Sequence, residues 1–250
     1  MKYLMSLLIL TVIISCSKNK SVDTVENNCN NLIEVLDYNP FGNPTYQTTA
    51  TLTYSPESKI KTVIGQGLSK SEYTYYIDSI VLKATDINGA NIGQVYYLDN
   101  LQRVKRTKYA NEEYQYNTEG YLISYKQPYG NNGQILGYTQ YFLIWQNGNL
   151  TQVYTNDQTV SRKKVTFQYY NLPNQNLLGY NSPFYDGSIL YDRNSFYLLN
   201  TSYFGKQSKD LLKSSTLNDT NQSADIIYQS DATGRITSLG DFYKFKYQCP

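Results

Sequence analysis

Side chains able to carry acid–base or nucleophilic chemistry are scarce in this chain. Its 250 residues include no His, and Lys plus Arg (22) nearly balance Asp plus Glu (20). The absence of His excludes Ser-His-Asp and Cys-His nucleophile systems and His-ligated metal sites. A formal net charge of +2 is too small to imply a polyanionic partner, so we expect no nucleic-acid binding. Carboxylates, Tyr and Lys remain as candidates for catalysis.

The carboxylates do not form an evident catalytic pair. Glu112 and Glu113 are adjacent in a strand-like segment and therefore point to opposite faces. Asp186 and Asp192 flank a predicted loop and leave a carboxylate-based glycosidase as an alternative. The run from Asp86 to Gly89 begins like a calcium loop but lacks the later bidentate Glu. We predict a protein that is not an enzyme and that uses no metal or other cofactor.

Cysteine chemistry is indicated at the N-terminus. Lys2 precedes an apolar run from Leu7 to Ile14 that is too short to span a bilayer, which predicts a signal peptide over residues 1–15. The run ends Ile-Ile-Ser-Cys16, which resembles the lipobox of bacterial lipoproteins. This resemblance implies that Cys16 is acylated, becomes the new N-terminus and holds the protein at the membrane. An ordinary secretory signal with a chance Cys is the alternative.

The residues after Cys16 predict an address and a tether. Ser17 to Lys20 contain no Asp, and in lipoprotein sorting this absence implies the outer membrane. The same stretch is basic, which favours the periplasmic face over the cell surface. Residues 16–31 are polar and lack periodicity, as is typical of a flexible tether. One domain is therefore predicted over residues 32–250.

Cys29 and Cys249 form an even pair near the two ends of the mature chain. Paired cysteines of an exported protein meet an oxidising compartment, where disulfides form and persist. The aromatic residues that share a strand face with Cys249 are Tyr243, Phe245 and Tyr247. Because aromatic side chains favour the core, Cys249 is expected to point inward. We predict a disulfide between Cys29 and Cys249, with two unpaired buried thiols as the alternative.

Period-two alternation of apolar and polar residues dominates the domain. Thr49 to Tyr54 and Lys164 to Tyr169 are two clear examples, and both are typical of half-buried antiparallel strands. Short polar segments containing Gly separate such strands and suit tight hairpin turns. The sequence therefore predicts an all-β fold: an antiparallel meander of repeated hairpins that forms a large curved sheet.

Two segments interrupt this pattern. Ser188 could cap a short amphipathic helix over residues 188–200, in which Ile189, Phe196 and Leu199 fall near one face. Gly205 to Ser223 is polar and is predicted to form a long exposed loop.

Five short units share the same order of residue types: an aromatic, a polar turn, a Gly, one further residue and an aliphatic. The clear copies are Tyr116 to Leu122, Trp145 to Leu150 and Tyr228 to Ile236. The degenerate copies are Tyr54 to Ile60, where Ser58 stands in place of the Gly, and Tyr97 to Val104, where Leu101 is assigned that place. These units resemble the tyrosine-aspartate hairpin repeats of Rhs-type proteins.

The combination of an acylated Cys, a polar tether, Tyr-rich hairpins and a terminal Tyr-containing strand is similar to a group of uncharacterised lipoproteins from the Bacteroidota. In that group a segment resembling Asn181 to Phe184 commonly interrupts the hairpins. The resemblance implies a hairpin fold and an envelope location. It transfers no catalytic residue.

The 28 Tyr residues suit the boundary between core and water, because each has an apolar ring and a polar hydroxyl. The strand from Tyr141 to Trp145 is apolar on both faces, so it is either sandwiched or exposes one face to a ligand. We predict Trp145 and Tyr141 as a binding face for a glycan, a peptide or an envelope protein. A helix packed on that face, and a purely structural envelope protein, are the alternatives.

Overall fold

A computed structural model of the chain describes residues 31–37, 48–65, 68–86, 88–131, 134–155, 164–174, 203–218, 220–240 and 243–248. The strands in these ranges are β1 (Asn31–Asp37), β2 (Thr48–Tyr54), β3 (Ile60–Gly65), β4 (Leu68–Tyr75), β5 (Ser79–Asp86), β6 (Gln94–Leu98), β7 (Val104–Thr107), β8 (Glu113–Tyr116), β9 (Leu122–Asn131), β10 (Gln134–Gln146), β11 (Asn149–Thr155), β12 (Lys164–Pro173), β13 (Asp210–Leu217), β14 (Gln222–Asp225), β15 (Tyr228–Ser230), β16 (Ile236–Leu239) and β17 (Tyr243–Gln248).

Every regular element within these ranges is a strand, and the strands belong to one large antiparallel sheet, which confirms the predicted class. The helix predicted for residues 188–200 lies outside the described residues. So do Cys16, Cys29 and Cys249, and the acylation and the disulfide stay predictions. Across the part of the chain that the structure describes, no helix has the length and hydrophobicity needed to cross a membrane.

The pairing follows chain order and then returns to its start. Each strand from β1 to β13 pairs with the next, β15 pairs with β16, and β16 pairs with β17. β17 also pairs with β1, with Asn31 opposite Gln248 and Leu32 opposite Tyr247. The first and last strands of the domain are therefore neighbours, and the sheet curves round on itself.

β14 and β15 run one after the other along the same line and pair on opposite sides. The backbone N–H of Ile226 donates to the carbonyl of Lys213 on one side, and that of Gly240 donates to the carbonyl of Ile227 on the other. The chain thus changes its strand partner at Ile226 and Ile227. This change links the last hairpins to the rest of the sheet.

Four five-residue turns share one geometry at one end of the strands, which we call the turn end. They span residues 55–59, 99–103, 117–121 and 231–235. In each, the first N–H donates to the fifth carbonyl and the fourth N–H donates to the first carbonyl. The fourth residue has a positive φ, and these residues are Ser58 (58°), Gln102 (62°), Gly120 (93°) and Gly234 (83°).

Positive φ at this position explains the Gly in the sequence pattern, because Gly adopts it without a steric penalty. Gly120 and Gly234 lie in hairpin turns as predicted, and Gly148 does so in the two-residue turn between β10 and β11. The assignment of Leu101 to the Gly position was wrong. Gln102 occupies it, because the turn is counted from Asp99 and not from the aromatic residue.

Two of these turns each contain an Asp–Arg ion pair of the same geometry. Asp99 accepts from the backbone N–H of Leu101 and from that of Arg103, and its other oxygen lies 2.7 Å from the Arg103 guanidinium. Asp231 and Arg235 repeat this arrangement, also at 2.7 Å. Although burial raises the pKa of Asp99, the hydrogen bonds that it accepts from Arg103 and Leu101, together with the Arg103 charge, leave the pKa below its usual range.

The core lies on one face of the sheet, which we call the core face. Leu122 and Ile236, the aliphatic residues that close two of the repeated units, are buried there as predicted, and Leu150 packs against the same core. Phe245 is buried and Tyr247 packs against the core, whereas Lys244 and Lys246 are exposed. Alternation in β17 therefore follows the predicted faces.

The prediction of a long exposed loop from Gly205 to Ser223 was wrong. Asp210–Leu217 form β13, which pairs with β12 and β14. Ser214 and Ser215 are both buried, and Ser215 takes a core-facing position opposite Phe167. Since Ser occupies core positions, the apolar alternation that marks a strand is absent from the sequence.

Residues 203–209, which we call the strap, cross the turn end. The carbonyl of Tyr203 accepts from the N–H of Val104, the N–H of Lys206 donates to the carbonyl of Gly120, and the N–H of Lys209 donates to the carbonyl of Gly148. Phe204 is buried against the edges of Tyr96 and Tyr114. The strap thus ties three hairpins together and adds an aromatic ring to the core.

Candidate functional site

Trp145 and Tyr141, the predicted binding residues, lie on the core face. Tyr141 is only 5% exposed, and its ring stacks on that of Tyr125 with 4.7 Å between centroids. The indole N–H of Trp145 donates to the carbonyl of Leu122 at 2.7 Å, and the ring lies 4.5 Å from that of Tyr121. Neighbouring side chains thus cover these rings in part, and a binding role for Trp145 and Tyr141 stays a prediction.

The bond made by Trp145 belongs to a series. In five places an aromatic side chain donates to the backbone carbonyl of an aliphatic residue in the preceding strand. The acceptor is the first or second residue of that strand. The donor–acceptor pairs are Tyr75–Ile60, Tyr116–Val104, Trp145–Leu122, Tyr169–Leu150 and Tyr247–Ile236, at 2.7 to 2.9 Å. The acceptors are the closing aliphatic residues of the five units found in the sequence. Sequence reasoning identified the units and missed the hydrogen bond that each closing aliphatic residue accepts.

A cation covers the ring in three of these places. Arg103 lies 4.4 Å from the ring centroid of Tyr116, Arg235 lies 5.7 Å from that of Tyr247, and Lys59 lies 5.1 Å from that of Tyr75. Each cation immediately precedes the aliphatic acceptor residue in sequence. These basic residues therefore have structural partners at the turn end.

The core-face phenols are held in the neutral state. Burial raises the pKa of Tyr169 and that of Tyr247 to about 12. Burial also raises the pKa of Tyr116 well above its usual range. A neutral phenol is the form that donates to a carbonyl. The role of these residues is thus structural, and their chemistry does not suit them to act as bases near neutral pH.

The adjacent carboxylates of Glu112 and Glu113 point apart. Glu112 is half-buried and accepts from the hydroxyl of Tyr114 at 2.8 Å, whereas Glu113 is exposed. Burial, followed by the charge of Glu112, raises the pKa of the Tyr114 phenol. Asp186 and Asp192 lie outside the described residues. Within the described ranges, no group of three or more metal-binding side chains is close enough to hold an ion.

A patch of apolar side chains occurs on the opposite face of the central strands, which we call the outer face. Phe142 and Tyr154 are directly opposite across β10 and β11, and their rings stack with centroids 5.2 Å apart. Tyr154 is 37% exposed. Ile144 lies two residues further along β10, and Ile123 is exposed on β9. We call these four residues the outer patch.

Amide side chains flank the outer patch. Gln152 lies opposite Ile144 across the β10–β11 pair, and Gln140 precedes Phe142 by two residues on the same face. Charged side chains such as the exposed Lys61, Glu72 and Lys83 occur elsewhere on the outer face, and so does the exposed Ile64. The sequence marked β10 as apolar on both faces, but tertiary structure decided which face is buried.

Comparison with solved structures finds the same fold in two porin-like proteins. The one from Bacteroides uniformis ATCC 8492 has a TM-score of 0.65 and 12% identity, with 89% of this chain and 98% of that chain covered. The one from Bacteroides vulgatus ATCC 8482 has a TM-score of 0.60 and 14% identity, with 88% and 99% covered. At this identity the likeness is one of fold alone. No protein-family model matches the sequence, and no curated protein matches it.

Proposed function

We propose that this protein is a noncatalytic envelope lipoprotein that binds a glycan through the outer patch. The observation that supports binding is the stacked Phe142–Tyr154 ring pair on the outer face. A contiguous apolar patch on a solvent-exposed protein surface commonly marks an interaction site. An envelope location is supported by the signal-like N-terminus and by the porin-like description of the two structural neighbours.

A glycan suits the chemistry of the patch better than a charged ligand does. Sugars present flat apolar C–H faces surrounded by hydroxyl groups. The ring pair offers an apolar surface, and Gln140 and Gln152 offer amide donors and acceptors beside it. The patch residues themselves carry no charge. A neutral polysaccharide is therefore the proposed ligand class.

The charged residues of the outer face do not suit direct contact with lipid chains, which favours attachment through a lipid on Cys16. Lys83 is exposed on the outer face in the middle of β5, and Lys in the middle of a lipid-facing strand is destabilising. Acyl chains, by contrast, each bury many CH₂ groups at roughly 0.8 kcal/mol apiece. Asn31, the first residue of β1, lies at the turn end, so the proposed tether leaves the domain there. Palmitate-analogue labelling of the wild type, and its loss in Cys16→Ala, is the expected result; labelling that persists would contradict acylation.

The register of β1 and β17 supports a disulfide between Cys29 and Cys249. Asn31 pairs with Gln248, and the two cysteines follow within one or two residues beyond this pair. A bridge there would join the ends of the domain. Mass spectrometry of nonreduced peptides should show the two cysteines linked, and free thiols at both positions would reject the bridge.

We further propose that the domain is built of repeated hairpin units. The five aromatic–carbonyl bonds support this, since each ends on the closing aliphatic residue of a unit, and two of them, Tyr116–Val104 and Trp145–Leu122, join successive units. The four turns of identical hydrogen bonding support it as well.

A glycan array tests the binding proposal on the detergent-solubilised full chain. We expect binding to neutral polysaccharides, and a loss of about fivefold in Tyr154→Ala, because one stacked ring contributes on the order of 1 kcal/mol. Tyr109→Ala is the matched control, as Tyr109 is an exposed Tyr outside the patch. An array without binding, or equal binding by Tyr154→Ala, would contradict the proposal and leave a structural role.

A further inference from the structure

Two hairpins carry large apolar side chains where their turns meet at the turn end. The turn between β4 and β5 holds Tyr76, 56% exposed, and Ile77, 88% exposed, and the turn between β6 and β7 holds Leu101, 65% exposed. The side-chain amide of Gln102 donates to the backbone carbonyl of Ile77 at 2.8 Å, which ties the two turns together. We call Tyr76, Ile77 and Leu101 the apolar tip.

The turns themselves do not require these apolar side chains. Leu101 takes the third position of its five-residue turn, and the residues at the same position of the other three turns are polar and exposed: Glu57, Glu119 and Thr233. Polar residues and Gly are also the usual residues of short turns. Among these four turns, the apolar side chain therefore stands in the one that contacts Ile77. A cluster of this kind on an exposed surface marks a contact with an apolar partner.

Backbone groups at the apolar tip have hydrogen-bond partners within the protein. The N–H of Tyr76 donates to the carbonyl of Ser79. The N–H of Leu101 donates to the carboxylate of Asp99, and the carbonyl of Ile77 is already paired. An unpaired backbone group carries a large desolvation cost when it enters an apolar layer. Because these groups avoid that cost, the tip suits contact with lipid.

We propose that the apolar tip inserts into the interfacial layer of the membrane that holds the protein's lipid anchor. This docking rests on the acylation of Cys16 proposed above. Asn31, the first residue of β1, lies at the turn end, as the apolar tip does. The 15 residues from Cys16 to Asn30 span at most about 50 Å. The turn end is therefore the end of the domain that the anchor reaches directly.

The charges beside the apolar tip favour a neutral lipid surface. An anionic membrane surface attracts clusters of Lys and Arg. Here Asp78 is exposed beside the tip, the Arg103 guanidinium is paired with Asp99 at 2.7 Å, and Lys59 lies over the Tyr75 ring. Both cations thus have partners within the protein. Phosphatidylcholine, which carries no net charge, should be sufficient for insertion.

Quenching of an introduced Trp by brominated phosphatidylcholine tests this contact on the acylated protein in vesicles. The wild type supplies the background, because its one Trp is Trp145. The emission added by Ile77→Trp or Leu101→Trp should fall about twofold or more in brominated vesicles, because side chains of an interfacial contact reach the acyl-chain boundary. Leu136→Trp is the matched control, since Leu136 is 64% exposed at the opposite end of the sheet, and its added emission should not change.

A second substitution tests whether the apolar tip acts as one surface. Ile77→Asp, introduced together with Leu101→Trp, should restore the quenched emission, because a carboxylate resists entry into an apolar layer. Tyr109→Asp is the matched control, since Tyr109 is 62% exposed at the opposite end of the sheet, and the quenching should persist. Unchanged thermal unfolding would show that all variants fold.

Flotation with the same vesicles separates failure of the anchor from failure of docking. The wild type should float and Cys16→Ala should not. A wild type that does not float would contradict the anchor and overturn docking with it. A wild type that floats, while Ile77→Trp and Leu101→Trp stay unquenched, would keep the anchor and overturn docking alone. Quenching of Leu136→Trp as strong as that of Leu101→Trp would also overturn docking through the apolar tip.

Discussion

Tyrosines on the two faces of the sheet are held in different ways. On the core face, Tyr116 and Tyr169 each donate a hydroxyl to a backbone carbonyl at 2.7 Å. On the outer face, Tyr154 stacks on Phe142 and keeps more than a third of its surface in water. The same residue type therefore builds the fold on one face and leaves ring surface exposed to solvent on the other. Abundance of Tyr in the sequence does not distinguish these two roles.

Truncating a tyrosine to alanine should produce the largest difference in stability between the two faces. Tyr125 is buried and stacks on both Tyr114 and Tyr141. Tyr125→Ala should lower the free energy of unfolding by about 3–5 kcal/mol, as for other buried aromatic residues. Tyr154→Ala should cost less than about 1 kcal/mol. Urea unfolding at pH 7 measures both, and equal losses would break the comparison.

Removing the hydroxyl alone isolates the hydrogen bond. Tyr116→Phe should cost about 1–2 kcal/mol in the free energy of unfolding, because the Val104 carbonyl loses its phenol donor. Tyr154→Phe, on the outer face, is the control and should be neutral within about 0.5 kcal/mol. A neutral Tyr116→Phe would mean that the repeated aromatic–carbonyl bonds do not stabilise the domain.

Alkaline pH should reveal the raised pKa of the core-face phenols. The pKa of Tyr169 is about 12 in the folded protein and about 10 in the unfolded chain. Its contribution to stability is full below pH 10 and is lost as the pH rises toward 12. Tyr169→Phe should therefore reduce the loss of stability between pH 8 and pH 11 by about 1 kcal/mol. Urea midpoints across this range provide the measurement, and an unchanged pH dependence would contradict the assignment.

Removing a cation that lies over a core-face ring should have the smallest effect on stability. Lys59→Met removes the charge above Tyr75 and should cost about 0.5 kcal/mol, the value of an exposed cation–π contact. Lys61→Met is the control on the neighbouring exposed position of β3. Thermal unfolding of both variants checks the difference, and a larger loss in Lys61→Met would argue against the cation–π contact.

Much of the local structure could be predicted from the sequence. Gly120, Gly148 and Gly234 lie in hairpin turns, because each position needs a positive φ that Gly adopts freely. Where another residue takes that position, as at Gln102, the sequence no longer marks it and the prediction was one residue off. β13 was missed for a related reason, since Ser215 fills a core position opposite Phe167 without an apolar signal.

The candidate site was predicted less well than the fold. The sequence identified the strand from Tyr141 to Trp145 as apolar on both faces, which is correct. It could not select the buried face, because period-two alternation is symmetric when both sets of side chains are apolar. The stacked Phe142–Tyr154 pair depends on the register of β10 against β11, which alternation alone does not fix.

The sequence by itself determined the all-β class, the hairpin turns and the positions of the repeated aliphatic residues, because these follow from local alternation and backbone preference. Only the tertiary structure decided that β1 pairs with β17, that the strap crosses the turn end and that Tyr141 faces inward. These features join residues far apart in the chain. Local patterns do not encode such contacts. The contacts form when the apolar faces of all the hairpins are buried together.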